Sequence, residues 1–452
     1  MKSLLLAVCA ALILLAGCAT SGSRPEPTPN PRAVEVLQRL DPSAGERPVR
    51  LRAVGMGADS GTTRWGSGLT NRGAIDTLPE GYFAYLKGVN VNWVGIQVAI
   101  HEPDSADPTV VRLYTGDARK MTISFTDEQL IAAIRAFKSH GFNVYLALAF
   151  EPITNAVHPV DRGTLGDPNA PRQHREIDPK FWPWSLTHPQ HDSFVERFWA
   201  SYTAQAVAIG RLAEAEGVRL YSLGTETDLL FRSRSGGNWP NAYGDQLRAM
   251  VKAVREVYSG LLSYDMLSPI IQAPNDFYGP GSDYLFHDMG LDVIGVSAYF
   301  SLYDSSRAGW VPSVDDLEKR WQHIFDAYLR PLQARNDGLP ILFTECGYVD
   351  STNAVVDANA DLLAERVLID ANQNGLDDGE ETQAHIYQAL FNVMDRNPTV
   401  VYGAFLWGMM MADDVMYRLG ANTGAMVREH GFRQKLAEKV VRDTYQRWQL
   451  QE

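Results

Sequence analysis

Two glutamates in this 452-residue chain close apolar runs: Ser222-Leu-Gly-Thr-Glu226 and Ile341-Leu-Phe-Thr-Glu345. A carboxylate that ends such a run is costly to desolvate unless it has a partner or a task. A salt bridge would satisfy either residue alone. Together they suit the hydrolysis of a glycosidic bond with retention, which needs two carboxyls about 5–5.5 Å apart. One must hold a proton for the leaving oxygen, and the other must stay ionised to attack the anomeric carbon. Mutual repulsion of the two charges raises one pKa and separates the roles.

A second constellation is Asp370-Ala-Asn-Gln-Asn-Gly-Leu-Asp-Asp-Gly-Glu-Glu381, which matches the pattern D-x-[DN]-x-[DN]-G-x5-E. Asp370, Asn372, Asn374, Asp378 and Glu381 offer side-chain oxygens, Leu376 its carbonyl, and Gly375 the sharp turn. Hard oxygen donors at this spacing suit Ca2+. The eighth position, usually apolar, is Asp377. That argues against a paired EF-hand and for a lone calcium loop. An acidic solvent loop is the plainer alternative. His158, His174, His188 and His191 lack the spacing of zinc ligands.

These groups need elements to carry them. Short apolar, β-branched runs predict strands over 49–56, 91–98, 143–150, 218–224, 261–266, 291–298, 339–344 and 400–406. Helical periodicity lies between them, as in Asp127 to Phe137 behind a capping Thr126, and again over 194–216, 243–258, 314–333 and 380–395. Alternation of this kind predicts an α/β fold, and eight strands fit a closed (β/α)8 TIM barrel with extended rim loops. An open doubly wound sheet is the alternative, but no Gly-x-Gly-x-x-Gly follows a strand. In a barrel, groups at the C-terminal ends of strands face the active centre. Glu226 and Glu345 fall after the fourth and seventh strands.

The chain opens with Lys2, an apolar run from Leu4 to Leu15, and Leu15-Ala-Gly-Cys18, which resembles a bacterial lipobox. The expectation is a signal peptide over 1–17, a lipid on Cys18, a Pro/Ser-rich tether over 18–45 and a catalytic domain over 46–452 with the calcium loop inserted around 349–381. Ala19 lacks the usual inner-membrane retention signal, so the expected destination is the outer membrane or cell surface. A formal net charge of −13 argues against nucleic acid. With Cys9 lost and Cys18 lipidated, Cys346 has no intramolecular disulfide partner.

Taken together, Val91-Asn-Trp-Val94, Leu223-Gly-Thr-Glu226, Leu291-Asp-Val-Ile-Gly-Val-Ser-Ala-Tyr299, Phe343-Thr-Glu-Cys-Gly-Tyr348, Tyr387-Gln-Ala-Leu-Phe391 and Gly403-Ala-Phe-Leu-Trp407 resemble the clan of retaining (β/α)8 glycosidases. More closely, the chain is similar to glycoside hydrolase family 113, whose characterised members are β-1,4-mannanases. The resemblance implies Glu226 as acid/base, Glu345 as nucleophile, Tyr299 as a hydrogen-bond donor to the nucleophile and Trp407 as a stacking face for the sugar. Trp93 and the rim residues Glu151 and Trp239 complete the expected carbohydrate-binding set. Trp182 and Trp184 either line subsites or pin their loop. The wider clan carries Asn before the acid/base to hold the sugar 2-hydroxyl, and here Thr225 stands there. Alternatives are another β-glycan, transglycosylation, or a non-catalytic glycan-binding lipoprotein on the same scaffold.

Overall fold

The computed structural model describes residues 31–43, 45, 49–56, 80–102, 107–114, 124–152, 189–227, 244–272, 289–362, 364–408 and 428–451. The strands are β1 (Leu51–Met56), β2 (Trp93–Glu102), β3 (Asn143–Pro152), β4 (Leu220–Thr225), β5 (Leu261–Leu267), β6 (Val293–Ser297), β7 (Ile341–Cys346) and β8 (Val401–Leu406). Each pairs in parallel with the next, and β1 pairs with β8, so the sheet closes into a barrel. All eight expected strands are present, with ends moved by a few residues.

The helices are α1 (Pro31–Leu40), α2 (Glu80–Gly88), α3 (Asp127–Ser139), α4 (His191–Ala215), α5 (Gly244–Arg255), α6 (Ser268–Gln272), α7 (Val314–Ile324), α8 (Arg330–Arg335), α9 (Asp378–Arg396) and α10 (Leu436–Leu450). Thr126 caps α3 in a reciprocal capping box with Gln129. Leu130, Ala133, Ile134 and Phe137 turn one buried face of α3 to the barrel. A wider π turn over Phe325–Leu329 joins α7 to α8.

Two apolar cores follow from strand alternation. The larger lies between the sheet and its helices. The smaller fills the lower barrel interior with Leu51, Trp93, Tyr145, Leu220, Leu261, Val293, Leu342 and Phe405. Val36 and Leu40 of α1 plug this end. Arg32 donates to the carbonyl of Leu291 at 2.6 Å, and Arg39 to that of Ser259 at 2.5 Å. Residues 31–40, expected within a tether, therefore pack as part of the barrel. Cys346 is a buried free thiol whose pKa burial pushes up.

Candidate active site

Above the lower core the barrel interior turns polar, and Glu226 and Glu345 stand over it, each 5% exposed. Local backbone geometry sets Glu226 there. The β4–β5 register slips between Ser222 and Thr225, and Glu226 itself takes a left-handed φ of 55°. Its N–H donates to the carbonyl of Asp265 at 2.9 Å. A Cβ at Gly224 would come within 2.7 Å of the Tyr264 ring, so the bulge needs glycine there. Left-handed backbone at a non-glycine costs of order 1–3 kcal/mol and gathers at functional sites.

Glu345 sits near the end of β7. Tyr299, just past β6, donates to its Oε2 at 3.0 Å. Gln97 of β2 donates to its Oε1. A donor on each oxygen favours the ionised carboxylate. Burial, then the charges of Glu345 and Glu226, push the Tyr299 phenol well above its ordinary pKa, so it remains a donor. Both glutamates thus act on one phenol.

Trp407 follows β8, half-buried, and lines a narrow cavity with Gly55, Gly95, Gln97, Tyr145, Asp265 and Thr344. A Cβ at Gly55 would stand 3.0 Å from the Trp407 ring, so the missing side chain makes room for the indole. His430 packs edge-on to Tyr299, with ring centroids 5.7 Å apart, and its Nε2 lies 3.1 Å from Asn359 Oδ1. Burial, reinforced by the charge of Lys435, lowers its pKa to about 3, so the imidazole is neutral.

Trp93 is a correction. It begins β2 at the bottom of the barrel, 1% exposed, with its ring edge-on to Phe405 at 6.4 Å. Aromatic volume there fills the closed end of the barrel rather than its rim. The backbone of Glu151 ends β3 beside His101 of β2, while its side chain lies outside the described residues. Cys18, Trp182, Trp184 and Trp239 also lie outside them. Thr225 is fully buried, and its Oγ1 reaches down to Asp265 Oδ2 at 3.4 Å.

The loop before α9 folds on its own carboxylates. Asp370 accepts the amides of Asn374 and Gly375, each at 2.9 Å. Asn372 and Asn374 both direct their amides to Glu381 Oε2, at 2.9 and 3.0 Å. Asp378, 3% exposed, takes the Ala371 amide on Oδ2 and leaves Oδ1 buried without a partner. Among the described residues no group of three His, Cys, Asp or Glu side chains is drawn together as for a metal ion. Any cation site here draws on the asparagines and a carbonyl as well. Asp377 caps α9 and meets Arg428 at 3.3 Å. Lys435, fully buried, bridges Asp350 and Glu429 at 3.2 Å each. These pairs bind the β7–α9 segment to the segment carrying His430.

Gln97, Asp265 and His430 were not singled out in the sequence. For two of them a signal exists: Gln97 and Asp265 are polar residues at inward-facing, alternate positions of otherwise apolar strands. His430 follows a long stretch between β8 and α10 and offers none.

A closed parallel barrel carrying two glutamates at the ends of β4 and β7 defines a glycoside hydrolase of the (β/α)8 class. Residues 78–417 match Glycoside Hydrolase Family 113, and the chain belongs to that family. The structure of a GH113 β-mannanase from Alicyclobacillus acidocaldarius, in complex with ManMIm, superposes with a TM-score of 0.55 at 18% identity, covering 90% of this chain and 99% of its own. A GH113 β-1,4-mannanase solved as a complex gives 0.54 at 17% identity, covering 88% and 99%. No curated protein sequence matches the chain.

Proposed function

We propose that this hydrolase cleaves β-1,4-linked mannan or its oligosaccharides with retention of configuration. Glu226 protonates the glycosidic oxygen as Glu345 attacks the anomeric carbon, forming a glycosyl-enzyme. Glu226 then takes a proton from the incoming water, and the sugar leaves with its original anomeric configuration. The observation that carries this reading is the pair of donors on Glu345, which holds it as an ionised nucleophile. Trp407 offers the apolar face on which the sugar stacks. The mannan assignment draws on the two family neighbours above, which are β-mannanases.

One observation favours a second substrate. Thr225, standing where the wider clan carries Asn, directs its Oγ1 to Asp265 Oδ2 at 3.4 Å. Another β-linked glycan would use the same machinery. The deciding experiment incubates the protein from Pro31 onward with a panel of β-1,4 oligosaccharides, with Glu345→Gln as control. Hydrolysis of mannosides by the wild type alone supports the assignment. Cleavage of another member replaces the substrate, and no cleavage of any favours a glycan-binding role.

The same reading includes a structural Ca2+ held by Asp370, Asn372, Asn374, Leu376, Asp378 and Glu381. The unpartnered oxygen of Asp378 supports it, since a buried carboxylate oxygen without a donor is a place for a cation. The ion would supply no chemistry to the reaction. It would stiffen the start of α9, which Asp377 and Arg428 connect to the wall bearing His430. The lipobox supports an enzyme anchored through Cys18 in the bacterial cell envelope, at the outer membrane or cell surface, and metabolic labelling with a palmitate analogue, with Cys18→Ser as control, tests that.

A further inference from the structure

We propose that Asp265 is a positioning residue for Glu226, holding the bulged end of β4 beneath the active centre. The proposal rests on reading Glu226 as the acid/base.

Asp265 lies on β5, 1% exposed, between the apolar lower core and the two glutamates. Its backbone carbonyl accepts the Glu226 N–H at 2.9 Å, which fixes the left-handed turn of that residue. Its carboxyl ties in the strands on both sides of β4. Tyr145 of β3 donates to Oδ2 at 2.6 Å, Thr225 to the same oxygen at 3.4 Å, and Ser222 to Oδ1 at 3.1 Å. One side chain therefore holds the bulged end of β4 from below. The carboxyl also lines the cavity under Trp407, the same space into which Gln97 projects.

The surroundings make this an unusual carboxyl. Among the described residues its hydrogen-bond partners are hydroxyls, none of which carries a compensating positive charge. The titratable groups that act on it or on its Tyr145 partner are Tyr145 of β3, Glu226 beyond β4 and Glu345 of β7. Burial raises its pKa to about 7, the hydroxyl donors hold it down in part, and the charge of Glu226 adds to the rise. Asp265 thus gains or loses its proton in the range where a glycosidase works. Like charges repel in both directions. When Asp265 is ionised, Glu226 holds its own proton more tightly than when Asp265 is neutral. The two groups titrate as a pair.

The test follows the carboxyl itself and the reaction separately. Infrared titration of the whole protein, wild type minus Asp265→Asn, should show a protonated-carboxyl C=O stretch disappearing near pH 7. Tyr145→Phe should keep that band and move its midpoint upward, because the lost phenol favoured the ionised form. In kinetics, Asp265→Asn should lower kcat with little change in KM and move the basic limb of the pH profile down by roughly one unit. If Asp265→Asn does not fold, the midpoint shift in Tyr145→Phe decides. Absence of the band overturns the titration of Asp265, and an unchanged kcat and pH profile in Asp265→Asn overturns the positioning of Glu226. Failure of the underlying reading looks different: Glu226→Gln would then hydrolyse glycosides as the wild type does, whatever the infrared shows.

Discussion

Tyr299 and Glu345 meet across the tops of β6 and β7, the phenol donating to Oε2 at 3.0 Å while Gln97 holds Oε1. Both oxygens of the proposed nucleophile are thereby held by donors, which fixes the carboxyl in rotation. A hydrogen bond to a charged group contributes about 1.5–3 kcal/mol. Tyr299→Phe should lower kcat by about 10- to 100-fold and leave KM nearly unchanged. Steady-state kinetics decide it, and a rise in KM alone would assign Tyr299 to substrate binding.

The two glutamates should separate by leaving group. Glu226→Gln should lose about 10²–10⁴-fold on natural glycosides. It should lose far less in the bond-breaking step with an aryl glycoside whose phenol leaves without a proton. Glu345→Gln should fail on both. Proton NMR of the first product should show the β-anomer, and an initial α-anomer would exclude retention.

The pH dependence of stability has a definite sign. Asp265 keeps its proton up to about 7 in the folded chain against an ordinary 3.8. Between those values the folded chain binds more protons than the unfolded, so this site's contribution is full at low pH and is lost as pH rises through about 7. The Tm of Asp265→Asn relative to wild type should climb from pH 4 to pH 7 and then level. A flat difference across that range would show an ordinary carboxyl.

Lys435 sits between Asp350 and Glu429 with none of the three side chains more than 3% exposed. Removing one partner of a buried ion cluster costs about 3–5 kcal/mol. Lys435→Met should lose stability of that order in denaturant unfolding. A loss under about 1 kcal/mol would mean that water reaches the cluster.

Calcium should raise the Tm. Binding to the folded state alone adds about 2.7 kcal/mol when the ion stands a hundredfold above its Kd. Glu381→Ala and Asp370→Ala should each abolish the rise. A Tm that ignores both calcium and chelator would remove the ion from the proposal.

The barrel was legible in the sequence because each strand is a short apolar run and helical periodicity marks α3, α4, α5, α7 with α8, and α9 between them, while α2, α6 and α10 lie outside the stretches so marked. Glu226 and Glu345 were legible for the same reason: an apolar run that ends in a carboxylate is conspicuous. Trp93 misled because an aromatic on a strand says nothing about which end of the barrel it occupies, and that depends on its distance from the strand's C-terminus. Asp265 was hidden in Leu-Leu-Ser-Tyr-Asp-Met-Leu, where the alternation marks an inward face but not what stands above it. The contact of His430 with Tyr299 joins segments more than 100 residues apart, and no local pattern encodes such a meeting.

Helix α1 seals the barrel at the end opposite Glu226 and Glu345, with Arg32 and Arg39 clasping the turns that enter β6 and β5. Pro31, the first residue of α1, therefore belongs to the base. An anchor of the kind proposed for Cys18, joined through this end, would hold the enzyme by its foot and turn the mouth bearing Glu226 and Glu345 outward.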